Sequence, residues 1–241
     1  MLTQTFYNGV QIPQLGLGVY QIPDYNEAKR TVRSALDLGY RLIDTAQSYF
    51  NEKAVGDALR ESGVNRQDVF ITTKLWIQEF GYEKALAAAE RSLRALGLDY
   101  IDLLLLHQPM GDYPSAWRAL ETLYESGKVR AIGMANCYPH VLVDVCETFR
   151  LKPMMNQVEM HPFFQQNTNL KVMKDYGVVP QAWGPFNEGR SDFFTNPVLS
   201  AIAHAHQKTV AQVALRWNIE RGVVVIPKTV HEVRLHENMD V

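Results

Sequence analysis

Cysteine is scarce in this chain: 241 residues hold two, Cys137 and Cys146. No CxxC pair and no zinc-type His/Cys spacing goes with them. A disulfide framework or a zinc site therefore has no basis, and both residues are expected as ordinary thiols in a reducing compartment. Excess charge of one sign is also missing. The 24 Lys and Arg against 26 Asp and Glu leave a net charge of −2, which gives no electrostatic footprint for nucleic acid or an anionic membrane. No apolar run reaches the ~18 residues of a membrane span. The opening stretch MLTQTFYNGVQIPQLGLG has no basic segment ahead of an apolar one. A cytoplasmic protein is expected, a monomer or weak dimer, with a small-molecule partner.

Internal punctuation is missing too. No Pro/Ser linker, charge block or low-complexity segment divides the sequence, so residues 1–241 are expected to form one domain. The "GLG" at Gly16 to Gly18 has no third glycine opening a helix, so the Rossmann fingerprint is absent. If a dinucleotide binds, another device must hold it.

What is present is an alternation. Short apolar or β-branched runs are each followed by a stretch of helical spacing: LGLGVYQI, YRLIDTA, DVFITTKL, YIDLLLLHQ, VRAIGMAN, PMMNQVE, GVVPQAW and GVVVIPKT, which makes eight strand-then-helix units. Strands alternating with helices imply parallel strands with right-handed crossovers. Eight units in this length predict a closed (β/α)8 TIM barrel rather than an open sheet. Ahead of the first unit, the Asn8-Gly9 pair in TFYNGVQIP is a hairpin signal. It predicts an N-terminal β-hairpin plug beneath the barrel.

In such a barrel the active site lies at the C-terminal strand ends. Polar residues gather there: Asp44, Lys74, His107, Asn136, Gln157 and Lys228, with Tyr49 in the loop after Asp44. Singly, each has a plain structural explanation, as a helix cap, a solvated flank or a hydrogen-bonded core histidine. Together they converge on one rim. A metal-dependent hydrolase on the same fold would need several His, Asp or Glu ligands at strand ends. Only His107 and Asp44 qualify, so no metal is expected.

These residues resemble the aldo-keto reductase family. DTAQSY is similar to its Asp-Thr-Ala segment with a following Tyr, TTKLW to its lysine strand and LLLLHQP to its histidine strand. IGMANCYP, MNQVEMHP and IPKTVHEVRLHEN resemble, in order, its later strands and its cofactor-binding end. A free tyrosine has a pKa of about 10. A lysine ammonium beside the phenol should lower it, and a carboxylate keeps that ammonium charged and oriented. Asp44 would hold Lys74, Lys74 would tune Tyr49, Tyr49 would give a proton to a substrate carbonyl, and His107 would orient the carbonyl oxygen. The resemblance implies the same four catalytic roles.

The resemblance further implies NADPH/NADP+ as cofactor, bound across the barrel mouth. Gly18, Val19 and Tyr20 would border it beside Asp44, Asn136 and Gln157 would grip its carboxamide, and Trp183 would stack on its nicotinamide ring. The segment Gly184, Pro185, Phe186, Glu188 and Gly189 would follow the pyrophosphate. Lys228, Thr229 and Arg234 would surround the 2′-phosphate, and Glu237 and Asn238 would reach the adenine. The substrate pocket is expected from Tyr20, Tyr49, Trp76, His107 and Gln108, with Tyr113 and Trp117 as further contributors. An aromatic, mostly apolar pocket suits small aldehydes and ketones.

Three departures from the family pattern stand out. Ala135 and Gly184 replace usual serines beside the cofactor, and the sequence stops at Val241, short of the family's last helix and loop. The expected consequence of the last is a pocket open on one side and poor substrate discrimination. The alternative function is an NADPH-binding barrel that acts as sensor or scaffold, against which the complete set Asp44, Tyr49, Lys74 and His107 argues.

Overall fold

The computed structural model describes residues 2–241. The chain opens with an antiparallel hairpin, β1 (Thr3–Thr5) and β2 (Gln11–Pro13), in register Gln4 to Ile12. The turn expected at Asn8-Gly9 is present: Gly9 takes φ +86°, and the Asn8 side chain accepts from the Val10 N–H at 3.1 Å. Eight parallel strands follow: β3 (Leu17–Gly18), β4 (Leu42–Asp44), β5 (Phe70–Leu75), β6 (Leu103–Leu106), β7 (Ile132–Ala135), β8 (Met155–Glu159), β9 (Val179–Trp183) and β10 (Val224–Val225). Each pairs with its sequence neighbour. The seam is closed by backbone bonds from Val225 N–H to Gln14 and from Gly16 N–H to Val225, at 2.8 and 2.9 Å. The (β/α)8 barrel expected from the alternation is the observed fold.

Helices form the outer layer: α1 (Tyr25–Asp37), α2 (Glu52–Ser62), α3 (Tyr82–Leu96), α4 (Tyr113–Glu125), α5 (Pro139–Thr148), α6 (Asn167–Tyr176), α7 (Pro197–His206), α8 (Val210–Glu220) and α9 (Glu232–Met239). Their ends follow local chemistry. Asp24 caps α1 by accepting from the Glu27 N–H at 2.8 Å, Gly81 and Gly97 bracket α3, and Thr209 with Gln212 forms a capping box at α8. No described helix is long and apolar enough to cross a membrane.

Strand parity positions the site. Successive strand side chains point to opposite faces. On β6, Leu104 and Leu106 pack outward with the helices, while Leu103 and Leu105 pack inward with Phe6 and Ile12 of the hairpin. The hairpin thus plugs the base, with the Phe6 and Phe70 rings 6.3 Å apart. Following each inner row upward, Leu42 leads to Asp44, Phe70 to Thr72 and Lys74, Leu105 to His107, Met155 to Gln157, and Val179 to Gln181 and Trp183. The barrel interior is apolar at the plugged end and polar at the other.

Candidate active site

The polar end opens into a cleft of about 1010 Å³. At its floor Lys74 is fully buried and Asp44 is 1% exposed. The Lys74 ammonium is ion-paired with Asp44 Oδ1, donates to the Thr45 carbonyl at 2.9 Å, and reaches the Tyr49 hydroxyl at 3.5 Å. Gln157 Nε2 donates to the other Asp44 oxygen at 2.7 Å and to Gln181 Oε1 at 2.7 Å. Two buried charges are tolerable only when each has a partner and its remaining polar sites are satisfied, and both conditions hold for this pair.

Tyr49 sits in a single helical turn, Gln47–Tyr49, that follows β4. Phe50 ends the turn in the left-handed region at φ 58°, an unusual conformation for a bulky side chain. Around the phenol, the Tyr20 ring lies 5.0 Å away and His107 lies edge-on at 5.7 Å, while Trp76 meets His107 edge-on at 4.9 Å. His107 Nδ1 is 3.5 Å from Ser48 Oγ.

Burial is the largest single influence on all four groups and sets the net direction for three of them. It raises the Asp44 carboxyl, against the opposing pull of Lys74 and Gln157. Burial also draws the Lys74 ammonium downward, but Asp44 and Tyr49 outweigh it and leave it above the ordinary lysine value. Burial, and secondarily Lys74, pushes His107 down to about 3, so the ring is neutral at neutral pH. For Tyr49 the expectation from sequence needs correction. Lys74 does act to lower the phenol, but burial is the larger effect and the net direction is upward.

The cleft gathers nearly every residue that the sequence points to. Gly18, Tyr20, Trp76, Gln108, Asn136, Gln157, Trp183, Gly184, Pro185, Phe186, Glu188, Gly189, Lys228, Thr229, Arg234, Glu237 and Asn238 all line it. Val19, Tyr113 and Trp117 do not. Val19 is a fully buried core residue whose carbonyl accepts from Asn51. Trp117 is buried on α4, its indole N–H donating to the Leu151 carbonyl at 3.1 Å, and the Tyr113 hydroxyl is directed to Asp144. Both belong to the helical layer, so nearness to a strand end in sequence does not bring them to the pocket. Conversely, Gln21, Ser48, Phe194, Thr209, Val210 and Ala211 line the cleft although the motifs do not point to them. Only Thr209 has a legible signal, the Thr-x-x-Gln capping box that brings the start of α8 to the wall.

The wall also carries cations without partners. Among the described residues, neither Lys228 nor Arg234 makes an ion pair or a side-chain hydrogen bond. Nearby, Gly184 and Gly189 take φ of 59° and 75°. An extended, anionic dinucleotide fits these features: glycines that let backbone approach closely, free cations for phosphate, and paired amides for a carboxamide. No three His, Cys, Asp or Glu side chains among the described residues are grouped as metal ligands would be.

The aldo/keto reductase family model matches residues 14–241. The chain belongs to this family. It is 48% identical over 239 residues to 9,11-endoperoxide prostaglandin H2 reductase of Trypanosoma cruzi, covering 98% of this chain and 84% of that one. It is 47% identical over 240 residues to glyoxal reductase of Bacillus subtilis, with 99% and 86% covered. A solved Bombyx mori aldo-keto reductase in complex with NADP is similar at 30% identity with a TM-score of 0.93, covering 99% of this chain and 87% of that one.

Proposed function

We propose that this aldo-keto reductase reduces small aldehydes and ketones to alcohols with NADPH, using Tyr49 as the proton donor. The observation that carries the reading is the Tyr49 hydroxyl, 3.5 Å from a fully buried Lys74 that is itself ion-paired with Asp44, on the wall of an open cleft. The protein is an NADP-dependent oxidoreductase. When bound, NADPH supplies a hydride to the carbonyl carbon.

The chain's own residues supply the rest. Tyr49 donates a hydrogen bond to the carbonyl oxygen and passes its proton there as negative charge develops on that oxygen. The phenolate left behind faces the Lys74 ammonium, which Asp44 and the Thr45 carbonyl hold in place. His107, neutral in its buried site, donates from Nε2 when the Ser48 hydroxyl donates to Nδ1, and so fixes the carbonyl oxygen from a second side. Tyr20 and Trp76 add aromatic walls that limit water. Lys228 and Arg234 favour the 2′-phosphate, Arg234 through its planar fork. Glyoxal-type aldehydes, small enough for this mouth, are natural first substrates to assay.

The test is the consumption of NADPH by the purified protein with a panel of aldehydes and ketones and no added metal. Turnover with several aldehydes, and much less with NADH, is expected. No consumption with any carbonyl compound would overturn the reading.

A further inference from the structure

Asn136 is held from three directions. It lies just past β7 in the left-handed region, at φ 57°, and its backbone N–H donates to the Gln157 carbonyl at 2.7 Å. Its side-chain Nδ2 donates to the His107 carbonyl at 3.1 Å, and its Oδ1 accepts from the Trp183 indole Nε1 at 2.8 Å. The two side-chain partners are of opposite kind, since a carbonyl only accepts and an indole N–H only donates. Turning the amide by half a revolution would set oxygen against oxygen and N–H against N–H. One orientation alone satisfies both partners.

Gln157 is fixed by the same logic. Both of its Nε2 hydrogens go to acceptors, Asp44 Oδ2 and Gln181 Oε1, and no donor among the described residues reaches its Oε1. The pair therefore offers the cleft an acceptor on Gln157 and the second Nδ2 hydrogen on Asn136. A primary carboxamide, with one NH2 and one C=O, is the complement of that pair.

We propose that Trp183 is a positioning residue: its indole N–H locks the Asn136 amide so that Asn136 and Gln157 accept the cofactor carboxamide in a single orientation. The inference rests on the NADPH reading above. A ring without the N–H keeps an aromatic face but leaves the Asn136 amide held by the His107 carbonyl alone, so one hydrogen bond instead of two keeps it in its working orientation.

Titration calorimetry of NADP+ into the unaltered protein, Trp183→Phe, Asn136→Gly and the double variant tests this. Glycine keeps the left-handed backbone of Asn136 without strain. Trp183→Phe is expected to weaken NADP+ about twofold, because the amide then spends less time in its working orientation, and to lower the melting temperature by a few degrees for the lost hydrogen bond. Added to Asn136→Gly it should cost clearly less, because the N–H then has no amide to hold and only the difference between an indole and a phenyl face remains. Equal losses from Trp183→Phe in both backgrounds, or no loss in either, would overturn the positioning role and leave the cofactor reading intact. Failure of the unaltered protein to bind NADP+ would overturn both.

Discussion

Lys74 is a long cationic side chain with no exposure, and its stability depends on three oxygens, those of Asp44, Thr45 and Tyr49. Replacing it by Met leaves the Asp44 carboxylate buried without its cation. Breaking such a pair from one side costs about 3–5 kcal/mol, which urea unfolding at neutral pH would read. The sign of the pH dependence follows from Asp44. Burial already raises its pKa, and losing Lys74 raises it further, so the neutral form that the folded state prefers is populated at low pH. The defect of Lys74→Met should therefore shrink as pH falls and grow as pH rises through the raised value. The double variant Asp44→Asn/Lys74→Met should regain much of the stability and none of the carbonyl reduction. The same site predicts the pH profile of reduction. As the proposed acid, Tyr49 would have to be protonated to act, and its pKa is raised above the ordinary tyrosine value, while His107 stays neutral down to about 3. The rate constant for carbonyl reduction should be level through the neutral range and fall only at alkaline pH. A fall centred near pH 7 would contradict the assignment of Tyr49 as the acid.

Elements meet here with little slack, and glycines mark the closest approaches. A Cβ on Gly56 of α2 would stand 1.9 Å from the Leu96 carbonyl oxygen at the end of α3, a backbone atom that cannot turn aside. Gly56→Ala should destabilise by ~3 kcal/mol or more through overpacking, measured by denaturant unfolding. At the base of the barrel, Phe6→Ala removes the ring that packs on Phe70 and should cost about 3–5 kcal/mol. Because the plug is at the opposite end from the cleft, affinity for NADP+ should not change. Most elements are legible in the sequence because strand and helix differ in period, and because caps such as Asp24 are local. Other details are not. The break between α7 and α8, at Gln207 in the left-handed region, and the short turn that carries Tyr49 are set by one or two backbone hydrogen bonds, which leave no periodic trace. The hairpin is legible from Asn8-Gly9, while its burial against Phe70 depends on closure of the barrel.

Across the whole molecule, parity along the strands assembles the site from residues distant in sequence. Asp44 and Gln157 are 113 positions apart and share a hydrogen bond of 2.7 Å. Residue types at strand ends make Asp44, Lys74, His107 and Gln157 legible in the sequence alone. The net ionisation of Tyr49 is not, since it depends on how completely the assembled barrel excludes water. Val19 falls outside the cleft because nearness to a strand end does not say which face a side chain occupies, and Tyr113 and Trp117 because they lie on α4 and are directed to Asp144 and the Leu151 carbonyl. At this scale the proposed 2′-phosphate site of Lys228 and Arg234 bears on cofactor choice. Charged hydrogen bonds to phosphate contribute about 1.5–3 kcal/mol each, so Arg234→Ala should loosen NADPH by about tenfold or more and leave NADH nearly unchanged. Equal losses for both would reassign Arg234. Whether a phenol beside a buried lysine gives the proton is read most directly from Tyr49→Phe, with the single-turnover rate of aldehyde reduction measured beside NADP+ affinity. The expected rate is lower by ~10²- to 10⁴-fold with affinity within about twofold of the unaltered protein. A rate that falls by less than about threefold would contradict that role, since removing a general acid costs far more than that.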